Sequence, residues 1–334
     1  MNAIANDTRR GILWAIASSV SFAWSGTFAR PLLDAGWSVG LVITCRVFIA
    51  AAVLAIPAAR ALRGRWALLR AETVPIVTYG AVVIALCQTA YYRSVARMDV
   101  GVALLIEFTA PVALLVWLWL RHGQRPTRLT VAGAVLTTGG LILVINLFSG
   151  ASLDGLGVAW AFVSMFGAAV YFVMSARPTR LPPVVLPAAG MVVGGIILLA
   201  GGLIGLTPMH AGAATVHFRS VGVPWFLPLL GIGVLSTGVA YALGMVAGQM
   251  LGARLMSFVS LAEVVGAVLT AWALLGQAPA PIQVLGGVAI LVGIILVKLG
   301  EPTEDGLLIQ LETEGLLTAG EVHVLDADSD RIPA

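Results

Sequence analysis

Along most of the chain, apolar runs of about twenty residues alternate with short polar breaks. A bilayer core ~30 Å thick needs about 20 such residues in a helix to cross it. The pattern predicts ten helices, over residues 11–33, 38–59, 74–96, 99–120, 129–148, 156–176, 185–205, 224–248, 252–275 and 282–300. Turn and charge signals mark the breaks, among them Asp34-Ala35-Gly36, Gly123-Gln124-Arg125-Pro126, Pro182-Pro183 and Pro279-Ala280-Pro281. The runs are continuous and rich in Gly, Ala and Leu. They therefore predict helices and not the weak ten-residue alternation of barrel strands. Arg9-Arg10 precede the first run, which is too long for a signal peptide and reads as an uncleaved first helix.

Composition agrees with that pattern. Apolar residues form 59% of the 334-residue chain and charged residues 10%, where a soluble domain carries roughly 25%. So few charges cannot cover the surface of a soluble protein of this length. The expected fold is an all-α polytopic membrane protein, with no room for a separate soluble domain. The net charge of +3 hides a division. Before residue 301, 18 Lys and Arg stand against 7 Asp and Glu, and from 301 onward one Arg stands against 9 acids. The acidic tail, 301–334, has the composition of a disordered segment.

Basic residues set the expected orientation. With the N-terminus inside, 13 of the 18 Lys and Arg before residue 301 fall on the cytoplasmic side, Arg254 at the start of the ninth helix among them. Both termini are then cytoplasmic, in a plasma membrane, as an even number of spans requires. Trp14, Trp37, Trp66, Trp160 and Trp225 lie near the predicted interfaces and read as an aromatic belt.

The chain contains a copy of itself. Shifted by 153 residues, 75–144 lies on 228–297 without a gap, and 11 of the 26 columns from Trp119 to Val144 are identical. Pro75 meets Pro228, Gly123-Gln124 meets Gly276-Gln277, and Gly133 and Gly140 meet Gly286 and Gly293. At a shift of 147, Ala29-Arg30-Pro31 echoes Ala176-Arg177-Pro178. Residues 11–150 and 151–300 are accordingly two five-helix repeats, flanked by residues 1–10 and by the tail. An odd number of spans per repeat sends the second copy across the membrane from the other side. That is an inverted repeat, on which alternating access is commonly built.

Two five-helix halves, each closing with a helix, a Gly-Gln turn with Pro and a Gly-rich helix, resemble the drug/metabolite transporter superfamily, EamA type. The likeness covers about residues 10–300. Glu107-Phe108-Thr109-Ala110-Pro111, after Ala90-Tyr91-Tyr92-Arg93, is similar to the threonine/homoserine exporter branch. Ala110 stands where that branch has glycine, and Leu261-Ala262-Glu263-Val264 where it tends to have Ser-Leu-Glu-Pro. The resemblance implies a polytopic exporter of small metabolites, with a central cavity between the halves and driven by solute or ion gradients.

Charges inside spans are costly and demand an explanation. Three are expected at ~12–17 Å depth, counted from the helix starts: Arg46, Glu107 and Glu263. Either acid is a candidate to bind the ammonium group of an amino-acid-like substrate or to carry a coupling proton. The alternative is a static buried ion pair between Arg46 and one acid. Gln88, Tyr91, Tyr92 and Tyr241, with Trp24 and Tyr171, stand at mid-span and are candidates to line a pocket. Ordinary helix packing is the alternative for each. The glycines of the fifth and tenth spans predict close helix contact, within the chain or in a homodimer.

Other functions are poorly supplied. The four histidines are scattered and match no zinc spacing. Cys45 and Cys87 lie inside spans, no Walker motif is present, and the basic balance belongs to loops rather than to nucleic-acid binding. Asp7, Asp34, Asp99 and Asp154 all fall outside the spans, so the paired acids of an intramembrane enzyme are missing. No cofactor is expected. The partners expected are a small-molecule substrate and the bilayer. A multidrug or organic-cation exporter is the alternative within transport, and an intramembrane enzyme or regulatory membrane protein outside it.

Overall fold

The computed structural model describes residues 2–95, 97, 100–145, 154–276 and 278–300. The acidic tail and Gln277 lie outside the described residues. Among those described, nine helical spans are at least 18 residues long and apolar enough to cross a membrane, and Ala262–Leu275 is a shorter apolar helix. Ten spans are thus present, several with a different internal build from the simple rods predicted.

The first repeat opens with α1 (Asn2–Asp34) and α2 (Val39–Ala61). Ser38 caps α2 by accepting from Leu41 N, as a short hydroxyl side chain at this position commonly does. α3 (Ala67–Ala71) and α4 (Thr73–Thr78) lead into a π-helical segment, Tyr79–Leu86, and on into α5 (Cys87–Val95). The fourth span, predicted continuous, is two helices, α6 (Val100–Glu107) and α7 (Ala110–His122). Pro111 explains the break: it has no N–H to offer the Glu107 carbonyl four residues back, and its ring crowds that carbonyl. α8 (Arg128–Ile145) closes the repeat.

The second repeat begins with α9 (Gly155–Ala176), capped by the Asp154 carboxylate accepting from Gly157 N at 2.7 Å. α10 (Val185–Leu203) follows. Where a plain loop was expected, β1 (Thr215–Phe218) and β2 (Val221–Pro224) form an antiparallel hairpin, so the protein is all-α only in its spans. The segment leading into the hairpin lies over the α1–α2 turn: Ser38 Oγ donates to His210 O, and Trp37 Nε1 donates to Ala213 O. Trp37 is buried and stacks on Trp225 with centroids 4.9 Å apart. It belongs to this joint and not to an aromatic belt, because its indole N–H is satisfied inside the protein.

The eighth span repeats the third. α11 (Phe226–Leu230) leads into a second π-helical segment, Gly231–Val239, and then into α12 (Ala240–Ser260), α13 (Ala262–Leu275) and α14 (Pro281–Leu299). The predicted connection at 249–251 lies inside α12, whose one non-helical residue is Gly252, at φ 73°, ψ 165°, a conformation that glycine alone adopts readily. Arg254, counted from sequence among the cytoplasmic-side charges at the start of the ninth span, is helical there but only 9% exposed, and its Nη2 donates to Gln124 Oε1 at 3.0 Å. The break between α12 and α13, at Leu261, has no proline. There Ser257 and Ser260 turn their hydroxyls onto carbonyls three residues back, competing with the helical ladder.

The two repeats agree at the residues where regular helix fails. The π segments overlap under the 153-residue shift, the breaks at Phe108-Thr109 and Leu261 coincide, and Gly123 and Gly276 both end a helix with left-handed φ. The halves also interlock. α1 packs on α12 and α13, α2 on α10 and the second π segment, and α9 on α5 and α6. α8 packs along α14, where a Cβ on Gly140 would meet Gly286 O at 2.6 Å and one on Gly133 would meet Gly293 O at 2.6 Å. These glycines are used within the chain, as close-packed helix pairs in membranes use them.

Candidate functional site

The fold brings the three mid-span charges into one neighbourhood, although they come from the second, fourth and ninth spans. Glu107 is the last residue of α6, directly before one break, and Glu263 lies in the first turn of α13, directly after the other. A carboxylate there faces the positive end of a helix dipole. Arg46 lies on α2, and its charge interacts with both acids while the two acids interact with each other. All three are half-buried, so each keeps access to space within the bundle.

None of them is neutralised by direct contact. Among the described residues, Arg46 has no carboxylate oxygen within 4.0 Å, and the one close ion pair is the exposed Arg30–Asp34. Arg46 Nη1 donates to Ser25 Oγ at 3.1 Å, and its buried Nε finds no acceptor. The static ion pair weighed from sequence is therefore not formed. Glu107 is held by a weaker partner: Cys87 Sγ lies 3.9 Å from Oε1, and the Ser164 hydroxyl donates to Cys87 O at 3.3 Å. Cys87 in turn donates to Ser164 O at 3.4 Å, which ties α5 to α9 beneath Glu107.

Aromatic rings adjoin the charges. Tyr171 and Tyr241 pack edge to face at 5.4 Å, each is 6.4 Å from Tyr79, and Phe22 closes on Tyr241 at 4.9 Å. Tyr241 interacts with Arg46 and both acids, and Tyr171 with Glu263. The Tyr79 and Tyr171 hydroxyls are buried without a hydrogen-bond partner, which costs on the order of 1–3 kcal/mol each. The Tyr171 hydroxyl sits against Gly244, where any side chain would collide with it. Two acids, one guanidinium and three phenols thus surround one part of the bundle, with donors left over.

The sequence profile of the EamA-like transporter family matches the chain twice, over residues 9–146 and 155–299. The chain belongs to the EamA-like transporter family. The inner membrane transporter YicL of Salmonella typhimurium, itself uncharacterized, is 25% identical over 301 residues, covering 87% of this chain and 96% of YicL. One solved crystal structure superposes with a TM-score of 0.71 at 17% identity, over 86% of this chain and 97% of that one, and shows the same fold. The protein is a multi-pass membrane transporter.

The remaining predicted residues of this EamA-like chain lie apart. Trp24 is half-buried and stacks on Phe28 at 5.5 Å, making no ring contact with the tyrosines. Gln88 lines a narrow crevice with Thr44, Leu198 and Thr207, between the second, third and seventh spans. Tyr91 packs against the Val102, Ala103 and Ala161 cluster. The Tyr92 side chain lies outside the described residues. Three participants were missed: Tyr79, Cys87 and Ser164. Tyr79 stands four residues after Pro75, where its pseudo-equivalent is Ile232, and that asymmetry was readable from the repeat. Cys87 and Ser164 carried no signal, since small side chains in an apolar helix read as packing.

Proposed function

We propose that this EamA-like chain is a secondary transporter exporting a small amphipathic solute, an amino acid or a close analogue. It works by alternating access between two inverted repeats, with both termini in the cytoplasm. The carrying observation is the group Arg46, Glu107 and Glu263, gathered beside three tyrosines and not paired with one another. Keeping three charges uncompensated in a bundle is costly unless a ligand or proton completes them. A zwitterion suits the set: its carboxylate to the free side of Arg46, its ammonium to Glu107 or Glu263, and its side chain against the phenol rings. Because the two acids lie at the ends of broken helices, a small rotation of α6 against α7, or of α12 against α13, moves the charge without unmaking a long helix.

The two carboxylates against one guanidinium, together with aromatic faces that attract cations, favour a second reading, an organic-cation exporter. Counterflow in proteoliposomes, with a panel of amino acids and organic cations and with or without a pH gradient, separates the readings. Saturable exchange of an amino acid that is lost in Arg46→Ala supports the first. Exchange confined to cations and indifferent to Arg46 supports the second, and no flux of any panel member overturns both.

A further inference from the structure

The pseudo-equivalent arginines Arg30 and Arg177 have different surroundings. Arg30 is paired with Asp34 at 2.9 Å on an exposed helix end. Arg177 follows the last residue of α9, where Pro178 forces extended backbone (φ −71°, ψ 130°), and among the described residues it has no acid within pairing distance. It lines a crevice of ≈ 380 Å³ together with Arg180, Glu72, Pro75, Met174 and Leu186, at the ends of the third, sixth and seventh spans. No ion pair or side-chain hydrogen bond joins Glu72, Arg177 and Arg180 to one another or to any other described residue. Two guanidiniums and one carboxylate therefore share one opening, unneutralised, with apolar Pro75, Met174 and Leu186 beside them. Val74 and Val77, flanking Pro75, are 76% and 45% exposed and so face lipid in a spanning helix. The opening lies at the lipid boundary.

We infer that this crevice is a binding site for a zwitterionic phosphoethanolamine head group, the head group of a phosphatidylethanolamine lipid. Guanidiniums hold phosphodiester oxygens through paired charge-assisted hydrogen bonds, so Arg177 and Arg180 take the phosphate. Glu72 takes the ammonium. A purely anionic head group would leave Glu72 facing like charge, and a choline head group would offer it no N–H. The acyl chains leave along Val74 and Val77. The inference is independent of the transport reading, because it uses none of the mid-span charges.

The test is native mass spectrometry of the full-length chain, delipidated and offered equal phosphatidylethanolamine and phosphatidylglycerol. The wild type retains phosphatidylethanolamine preferentially. Arg177→Gln with Arg180→Gln lowers that retention by more than roughly tenfold, since each charged hydrogen bond lost is worth about a factor of ten. Arg60→Gln with Arg63→Gln, a loss of the same charge elsewhere, leaves it unchanged. Glu72→Gln shifts the preference towards phosphatidylglycerol, and it decides alone if the double arginine variant does not fold. Soluble glycerophosphoethanolamine is the competitor. If it binds and displaces the lipid in an arginine-dependent way, the same chemistry serves a soluble solute; if it does not, the source is the lipid. Equal retention of both lipids by the wild type, or unchanged retention in the arginine variant and unchanged preference in Glu72→Gln, overturns the site.

Discussion

The α8–α14 seam and the two broken helices are both built from repeated sequence, yet they are opposite in character. Along the seam the repeats are alike where the helices touch: Gly133 and Gly140 face Gly293 and Gly286, and the counterparts Val144 and Val297 are both buried. At the broken helices the backbone keeps the symmetry while the side chains abandon it. Glu107 corresponds to Ser260, Glu263 to Ala110, and, at the 147 shift, Arg46 to Val193. The unpartnered Arg46 Nε and the Tyr79 and Tyr171 hydroxyls all lie on this side. Close packing between two copies tolerates only what both copies can offer. A site for an asymmetric solute needs charges on one side of it only. Symmetry therefore marks the frame of this transporter, and broken symmetry marks its candidate site.

Substitutions at the two regions should separate transport from stability. The largest effect is expected from Glu107→Gln, Glu263→Gln and Arg46→Ala, each removing a desolvated charge at about 2–5 kcal/mol of solute binding, about 1.5 to 3.5 powers of ten in counterflow. Their melting temperatures should stay near wild type, and full transport in both Gln variants ends the proposed role of the acids. Gly140→Val should do the reverse. Its branched side chain would enter the Gly286 backbone, costing about 1–3 kcal/mol by overpacking. Thermal unfolding in detergent should show the drop, with the surviving folded fraction still binding solute.

Gln124→Ala comes next. It removes the Gln124 acceptor of the buried Arg254 Nη2 and should cost about 1–2 kcal/mol. A wild-type melting curve for Gln124→Ala would detach Arg254 from the frame. Tyr171→Phe comes last, with no loss of stability expected. Its buried hydroxyl has no partner in the protein, so removing it should stabilise the fold by about 1–3 kcal/mol. A several-fold rise in KM in this more stable variant would place that hydroxyl on the solute. Unchanged KM would leave the ring as packing.

Most of the frame was legible in one dimension. Hydropathy is a local sum, so ten apolar runs could be counted. A duplicated chain keeps its Gly, Pro and Trp in register, so the repeat showed itself at Trp119–Val144. Local backbone detail was half legible. Pro111 was in view, and its conflict with the Glu107 carbonyl follows from chemistry, but the matching break at Leu261 has no such residue and depends on serine hydroxyls turning inward. The burial of Arg254 was not legible, because a basic residue at the cytoplasmic end of a span reads as an exposed charge. Only packing against Gln124 makes burial affordable for it.

Amphipathic character, span number, the twofold repeat and the presence of three charges within spans were determined by the sequence alone, because each depends on neighbours along the chain or on a fixed shift. The tertiary structure decided that Arg46, Glu107 and Glu263 come into one neighbourhood, that they stay unpaired, that Tyr79, Tyr171 and Tyr241 pack edge to face beside them, and that Trp24 and Gln88 stand elsewhere. Those facts depend on how helices from different halves interlock and rotate about their axes. A turn of about 100° per residue is enough to carry a side chain from the lipid face to the interior.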